Sequence, residues 1–179
     1  MARSQGPDAL AVRALAAEVG VTPNAVYRHF ADLADLRAAV GQRAREELAR
    51  RMAVTASSDV DAPSDADRAR EHLVRIGHAY VDFAREEPHL FATAFRPNAI
   101  APDRPDDPDG WTVVAGVLDE MAASGARSPE LPEVAPWFIW SVGHGLAALI
   151  VSTELPPELE VDVERIVAGV FDRMLRGLD

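Results

Sequence analysis

Residues 10–36, LAVRALAAEVGVTPNAVYRHFADLADL, constrain the fold of this chain more than any other stretch. Its first apolar residues recur at helical spacing: Val12, Leu15, Ala16 and Val19. Gly20 follows them, where a left-handed backbone conformation ends a helix at low cost. Val21 is expected to fill the corner. The pattern predicts a short helix that stops at a tight turn.

A second short helix is expected directly after this turn, over residues 23–30. Thr22 offers a hydroxyl that can cap the helix, and Pro23 suits its first position. Its apolar side consists of Ala25, Val26 and Phe30. The side chains left facing outward are Thr22, Asn24, Tyr27, Arg28 and His29. This arrangement predicts a helix-turn-helix whose second helix enters the major groove of DNA.

The sequence GVTPNAVYRHFADLADL resembles the N-terminal DNA-binding signature of the TetR family of bacterial repressors. The matching positions are Ala16, Gly20, Val21, Tyr27, His29, Phe30 and Leu36. In that family the second helix reads bases, and an aromatic residue and a histidine near its end contact phosphates. The resemblance implies groove contacts by Thr22, Asn24, Ala25 and Arg28. It implies phosphate contacts by Tyr27 and His29.

Two features depart from the family pattern. The family usually has a lysine where this chain has Leu33, so one expected phosphate contact is lost. The family also places a full helix before Leu10, whereas nine residues without an apolar stripe precede it here, MARSQGPDA. They resemble the tail of that helix and indicate a truncated start; a chain that natively begins here would have weakened or lost DNA binding. A helical hairpin retained only for dimer packing is the alternative interpretation of the motif.

The net charge of −11 is unusual for a protein that binds DNA, but the charges are unevenly distributed. Residues 1–51 carry a net charge of +2, and residues 52–179 carry −13. The acidic part is therefore expected to point away from phosphate, while the basic excess accompanies the motif. Because +2 is modest, affinity is expected to depend on positioned contacts and on two copies of the motif.

The chain of 179 residues contains no cysteine, which excludes disulfides and thiolate metal sites. No signal peptide is visible, and no uninterrupted apolar run reaches membrane-spanning length. These observations predict a cytoplasmic protein that does not enter a membrane.

The rest of the chain shows helical periodicity interrupted by Pro-, Asp- and Ser-rich loops, and no strand alternation, so the fold is predicted to be all-α. After Asp32, which can cap the next helix, the helices are expected over 33–52, 66–87, 89–95, 111–123, 136–152 and 158–178. We predict a helix-turn-helix DNA-binding domain over residues 1–52. An effector-binding and dimerisation domain is predicted over residues 66–179.

The last two helices differ in character. Residues 136–152 are apolar nearly all round, which predicts burial on more than one side, and the final helix is strongly amphipathic. Gly143 and Gly145 each cost roughly 1 kcal/mol in a helix interior, so a close neighbour is expected there. These features predict a homodimer through a four-helix interface. Packing of both helices within one monomer is the alternative.

The segment with Trp140, His144 and Gly145 resembles a C-terminal effector domain of Trp-His-Gly type found in some TetR-like regulators. The upstream sequence GHAYVDFAREEPHLFATAF is similar to the matching segment of that domain. The two resemblances cover residues 10 to about 177. Because the ligands of this domain class vary, the resemblance names no effector.

Nine side chains could line an effector pocket between helices: Tyr80, Phe83, Phe91, Phe95, Trp111, Trp137, Phe138, Trp140 and His144. The site prediction keeps seven of them and leaves out Trp137 and Phe138. Ordinary core packing is the alternative for each. His144 lies one helical turn after Trp140; it either bonds a core partner or anchors a ligand. A metal role lacks a second ligand at i+3 or i+4.

No Ser/His/Asp context, Gly-rich phosphate loop or Glu-x-x-His pattern is visible, so no catalytic site and no cofactor are predicted. The predicted function is a ligand-responsive repressor that binds a palindromic operator in double-stranded DNA as a homodimer, with an unknown small-molecule effector. One alternative is a dimeric small-molecule-binding helical protein that has lost DNA binding. The other is an all-α enzyme.

Overall fold

The structure, a computed structural model, describes residues 12–57, 61–96, 109–127, 134–151 and 163–176. Every regular element among these residues is an α-helix, which confirms the predicted all-α fold. The helices are α1 (Val12–Glu18), α2 (Pro23–Tyr27), α3 (Leu33–Ala56), α4 (Asp65–Glu86), α5 (Pro88–Ala94), α6 (Gly110–Ala123), α7 (Ala135–Val151) and α8 (Val163–Arg176). None of these helices is both long enough and apolar enough to cross a membrane. The segment before residue 12, which resembled the tail of a helix, lies outside the described residues.

The described residues group into two compact units. The N-terminal unit contains residues 12–47 and 86–96; the C-terminal unit contains residues 48–57, 61–85, 109–127, 134–151 and 163–176. This division differs from two contiguous domains, because α5 groups with the N-terminal helices. Within the N-terminal unit, the Arg45 guanidinium donates a hydrogen bond to the carbonyl of Ala94, at 2.6 Å, and so joins α3 to α5.

The helix-turn-helix differs from the prediction in three places: at Val19, at Val21 and at the end of α2. Because Gly20 adopts φ +72° and the N–H of Val21 already bonds the Ala16 carbonyl at 2.8 Å, α1 ends at Glu18. Val19 is therefore 61% exposed, not part of a buried stripe, and Val21 is exposed, not packed in the corner. The second helix ends at Tyr27 and not at Phe30. Its last turn is tightened by an i→i+3 bond from the N–H of His29 to the Val26 carbonyl.

The apolar core of the N-terminal unit joins α1, α2 and the start of α3. Its buried members are Val12, Ala16, Val26 and Leu36, and Leu15, Phe30, Leu33 and Val40 pack against them. Ala16 is fully buried. A helix as short as α2 is unstable alone in water, so this core holds its orientation.

The start of α3 is capped as predicted. Oδ1 of Asp32 accepts a hydrogen bond from the N–H of Asp35 at 2.9 Å, and Oδ2 of Asp35 accepts from the N–H of Ala31 at 2.9 Å. The Asp32 carboxylate thus satisfies a backbone donor that the first turn of a helix leaves without a partner, and the Asp35 carboxylate bonds back to the residue before Asp32. The other end of α3 lies one turn beyond the predicted end at Met52, because the chain stays helical to Ala56.

The C-terminal unit is built on the apolar face of α4, which packs with residues of α6, α7 and α8. Gly77 in α4 lies directly against Phe171 of α8: a Cβ added there would overlap the ring of Phe171. A glycine at this position lets the two helices approach, and Phe171 is almost fully buried as a result.

Helix α7 departs from the predicted burial on more than one side. Its buried residues are Ala135, Ile139 and Ala147. Trp137, Phe138 and Leu149 are 63%, 44% and 58% exposed. Among the described residues, the close neighbour expected at the two mid-helix glycines is absent, since a Cβ added at Gly143 or Gly145 would meet none of their atoms within 4 Å. The expectation of burial is therefore wrong for the chain by itself.

Candidate nucleic-acid interface and apolar cavity

The turn and cap that precede α2 determine which of its side chains face outward. Oγ1 of Thr22 accepts a hydrogen bond from the N–H of Ala25 at 3.2 Å, and Pro23 occupies the first turn, as predicted. Val26 is 7% exposed and anchors the helix in the core of the N-terminal unit. Since α2 is held on one side by Val26, its opposite side faces outward.

The structure places all six predicted DNA-binding residues in one continuous stretch. Five are exposed: Thr22, Asn24, Tyr27, Arg28 and His29. Ala25 is half-buried beside them. No acidic side chain within the described ranges pairs with Arg28, so its guanidinium charge is not neutralised by the protein there. Exposed donors and a cation on and directly beside one short helix form a surface, here called the α2 surface, suited to an anionic groove.

Leu33, which stands where the family usually has a lysine, is half-buried against the core of the N-terminal unit. At this position the chain therefore adds apolar packing and no cation. The phosphate contacts that the family resemblance implies and that this substitution leaves in place are those of Tyr27 and His29.

The C-terminal unit contains an apolar cavity of about 30 Å³. It is lined by Met52, Leu73, Ile76, Gly77, Tyr80, Val114, Ile139, Trp140, Gly143, His144 and Phe171. These residues come from α3, α4, α6, α7 and α8. No acidic side chain and no arginine is among the lining residues in the described part of the chain.

A hydrogen-bonded pair forms the polar part of this lining. The hydroxyl of Tyr80 lies 2.8 Å from Nδ1 of His144. The indole of Trp140 packs edge-on against the Tyr80 ring, with centroids 5.5 Å apart. Burial raises the pKa of the Tyr80 hydroxyl and lowers the pKa of His144 from its ordinary value of 6.5. Both shifts favour the neutral form of the group.

Three of the seven predicted ligand-binding residues line the cavity: Tyr80, Trp140 and His144. Phe83 lies in the core of the C-terminal unit, with the guanidinium carbon of Arg51 5.2 Å from its ring centroid. Phe91 and Phe95 pack together in the N-terminal unit, with ring centroids 4.9 Å apart. Trp111 is not among the lining residues. Its ring centroid lies 4.8 Å from that of Trp137 and 6.3 Å from that of Trp140.

Sequence reasoning missed Phe171 and the lining residues without aromatic rings, including Met52, Val114 and Ile139. Part of the signal was visible, because Leu73, Ile76, Gly77 and Tyr80 recur at helical spacing on one face of α4. The other members come from separate helices, and periodicity within one helix does not show which faces meet.

Comparison with known proteins identifies the class to which this fold and these sites belong. Residues 1–40 match the family described as bacterial regulatory proteins, tetR family. Residues 73–178 match the family described as tetracyclin repressor-like, C-terminal domain. The chain belongs to the TetR family of helix-turn-helix transcriptional regulators, which confirms the resemblance found in the sequence. The Trp-His-Gly subtype of the C-terminal domain stays a prediction.

Two relatives extend this finding. The chain is 27% identical to the uncharacterized HTH-type transcriptional regulator Rv0681 of Mycobacterium tuberculosis, over 97% of this chain and 78% of that protein. A solved structure of a protein with unknown function from Rhodococcus sp. RHA1 is similar with a TM-score of 0.74 and 23% identity. It covers 98% of this chain and 88% of that one, and supports the fold alone. Members of the TetR family are transcriptional regulators and not enzymes, so the enzyme alternative has no support.

Proposed function

We propose that the protein is a cytoplasmic, homodimeric, ligand-responsive repressor that binds a palindromic operator. One observation carries this proposal: α2 buries Val26 in the core of the N-terminal unit and leaves its polar side exposed. Two copies of this helix would occupy major grooves of half-sites about one helical turn, or a multiple of it, apart.

The residues of the α2 surface are suited to different contacts. Thr22, Asn24 and Arg28 carry donors that can reach base edges, and the half-buried methyl of Ala25 suits contact with a thymine methyl group. Tyr27 and His29 lie at the end of α2 and just beyond it, and we assign them to phosphates. Phosphate contacts would position the protein, and the groove contacts would select the sequence.

Selection of bound sequences from random DNA tests the operator proposal directly. We expect enrichment of a palindrome. If no sequence is enriched, the alternative of a ligand-binding protein that has lost DNA binding is favoured. Arg28→Ala should weaken binding to the selected operator by about 1–3 kcal/mol and relax specificity at one base position. Arg68→Ala, which removes a half-exposed arginine of the C-terminal unit, is the matched control. Equal effects of the two substitutions would contradict the proposed groove contact.

The exposed side of α7 supports the homodimer. Trp137, Phe138 and Leu149 leave apolar surface uncovered, and the space around Gly145 is open in this chain. A partner helix could approach closely there, as in bundles where helices of two subunits pack together. We therefore assign the dimer interface to α7 and α8.

Sedimentation equilibrium tests this interface. Leu149→Glu should weaken dimerisation by about ten-fold or more, because an apolar interface core disfavours an unpaired charge. Val54→Glu places the same charge at an equally exposed position of α3 and should leave dimerisation unchanged. A wild-type protein that remains monomeric at micromolar concentration would contradict the assignment.

The cavity of the C-terminal unit is the proposed effector site, with Tyr80, Trp140 and His144 as its polar contacts. An effector bound there would favour one of two dimer states and so change the spacing of the two α2 helices. His144→Ala should alter the effector response in an operator-release assay while leaving effector-free operator affinity close to wild type. A full response in that variant would remove His144 from the site.

A further inference from the structure

We infer that the effector is a neutral, mainly apolar molecule with a single hydrogen-bonding oxygen, which binds against the Tyr80–His144 pair. The inference rests on the proposed function, because it names the chemical class of ligand for the cavity assigned there to the effector. Its basis is the lining of that cavity and the 2.8 Å contact between the Tyr80 hydroxyl and Nδ1 of His144.

The lining disfavours ionic ligands. Of the eleven lining residues that the structure describes, only Tyr80, Trp140 and His144 have oxygen or nitrogen in their side chains. None of these described lining residues is an acid or an arginine, so a bound ion would find no permanent countercharge among them. Moving an ion from water into such surroundings is costly unless a partner compensates it.

The polar pair is neutral as well. Burial holds the pKa of His144 below its ordinary value, which favours the uncharged imidazole. Burial raises the pKa of Tyr80, so the hydroxyl does not supply a negative charge. The cavity thus offers hydrogen-bonding groups without net charge.

A ligand hydroxyl fits the chemistry of this pair in either of its protonation arrangements. A tyrosine hydroxyl can donate one hydrogen bond and accept others, and a neutral imidazole has one donor and one acceptor nitrogen. The tautomer of His144 decides which partner donates in the existing bond. Because an alcohol both donates and accepts, it can extend the chain of hydrogen bonds in both cases.

The size of the cavity adds a requirement. A volume of about 30 Å³ admits groups of about the size of a water molecule, so a larger ligand must displace lining side chains. Met52 has a flexible thioether suited to such repacking, and Trp140 and His144 are half-exposed. Ligand entry is therefore coupled to rearrangement of the lining.

Four probes of nearly equal size test the ligand class: toluene, benzyl alcohol, benzoate and benzylammonium. Binding is followed by the methyl NMR signals of Met52, Ile76 and Ile139, which report on the cavity lining itself. We expect benzyl alcohol to bind about five-fold more tightly than toluene, as one additional hydrogen bond allows. Benzoate and benzylammonium should each bind at least about ten-fold more weakly than benzyl alcohol.

Tyr80→Phe tests whether the Tyr80–His144 pair binds the ligand oxygen. It removes one oxygen and should abolish the preference for benzyl alcohol over toluene, while toluene binds as before. Tyr27→Phe makes the same substitution at the other tyrosine of the chain; it should keep the ligand preference and weaken operator binding. If Tyr80→Phe lowers the melting temperature enough to prevent titration, His144→Gln provides the same comparison from the other side of the bond.

Three results would overturn the inference: tighter binding of either ion than of benzyl alcohol, an equal loss of both neutral probes in Tyr80→Phe and His144→Gln, or no shift of the lining methyl signals with any probe. Operator binding of the same proteins is measured without probe. An intact operator complex together with any of these results rejects the ligand class and leaves DNA binding in place. Loss of operator binding by the wild type rejects the proposed function instead.

Discussion

In the N-terminal unit, the candidate functional side chains come from eight consecutive residues, 22–29, and five of them are exposed. In the C-terminal unit, the cavity is lined by residues of five helices, spread from Met52 to Phe171. The surface formed by residues 22–29 depends on a turn, a cap and one buried valine. The cavity depends on how distant helices pack, so it should be far more sensitive to a change in side-chain volume.

The largest expected effect is that of Gly77→Ala. A Cβ at this position would overlap the Phe171 ring, so α4 and α8 must separate or the ring must move. We expect the free energy of unfolding of the C-terminal unit to fall by about 1–3 kcal/mol or more. Thermal unfolding followed by tryptophan fluorescence measures this loss, because all three tryptophans of the chain lie in the C-terminal unit.

Gly116→Ala is the matched control for that substitution. Gly116 is exposed in the middle of α6, and an added Cβ would meet no atom within 4 Å. Because alanine favours the helix over glycine, we expect a gain of up to about 1 kcal/mol. If Gly77→Ala stabilised the protein as well, the close contact between α4 and α8 would be wrong, and the comparison of the two units would lose its main support.

An intermediate effect is expected in the N-terminal unit from Thr22→Ala. The substitution removes the oxygen that accepts a hydrogen bond from the N–H of Ala25, at a cost of about 1 kcal/mol. Operator affinity should fall with it, because α2 would be less well ordered. Hydrogen exchange of the α2 amides, measured beside operator affinity, detects the loss of order.

Thr22→Asp separates the cap from the DNA contact. Aspartate caps a helix as well as threonine does, so the α2 amides should keep their protection. Its negative charge faces the expected phosphates and should weaken operator binding strongly. Operator affinity equal to that of the wild type would show that the exposed side of α2 does not face DNA.

The smallest effect is a pH dependence from His144, whose pKa is lowered by burial. Below the ordinary pKa of about 6.5, the unfolded chain binds a proton that the folded protein resists, so stability should rise with pH in this range. The stabilisation is fully present above pH 6.5 and is lost as the pH falls towards the lower folded-state pKa. The measurement is the free energy of unfolding at pH 7.5 and pH 5.5.

His144→Gln should reduce that difference between the two pH values, and His89→Gln removes one imidazole at an exposed position for comparison. An unchanged pH dependence in His144→Gln would show that this histidine does not contribute.

Local patterns predicted the elements near α2 well. The Thr22 cap, the left-handed Gly20 and the Asp32 cap were all visible in the sequence, because each depends on a few neighbouring residues. The predicted burial of Val19 was wrong, since the turn begins before it can join the stripe. Short-range patterns are reliable where one hydrogen bond decides the geometry, and less so where two tendencies compete.

The aromatic residues of the C-terminal unit show where such patterns stop. Phe83 and Tyr80 lie three residues apart on α4, and only Tyr80 lines the cavity. Phe91 and Phe95 belong to the other unit, although they follow closely in the sequence. Composition selected large rings as candidates, but the faces at which helices meet decided which rings reach the cavity.

The sequence by itself determined the helix-turn-helix, its family and the polar side of α2, because caps, turns and helical periods depend on residues close together in the chain. Only the tertiary structure decided that Tyr80 meets His144, that Phe171 packs on Gly77, and that α7 leaves Trp137 uncovered. Each of these depends on packing between helices far apart in the sequence. Close packing is a property of all the faces together, and no single helix specifies it.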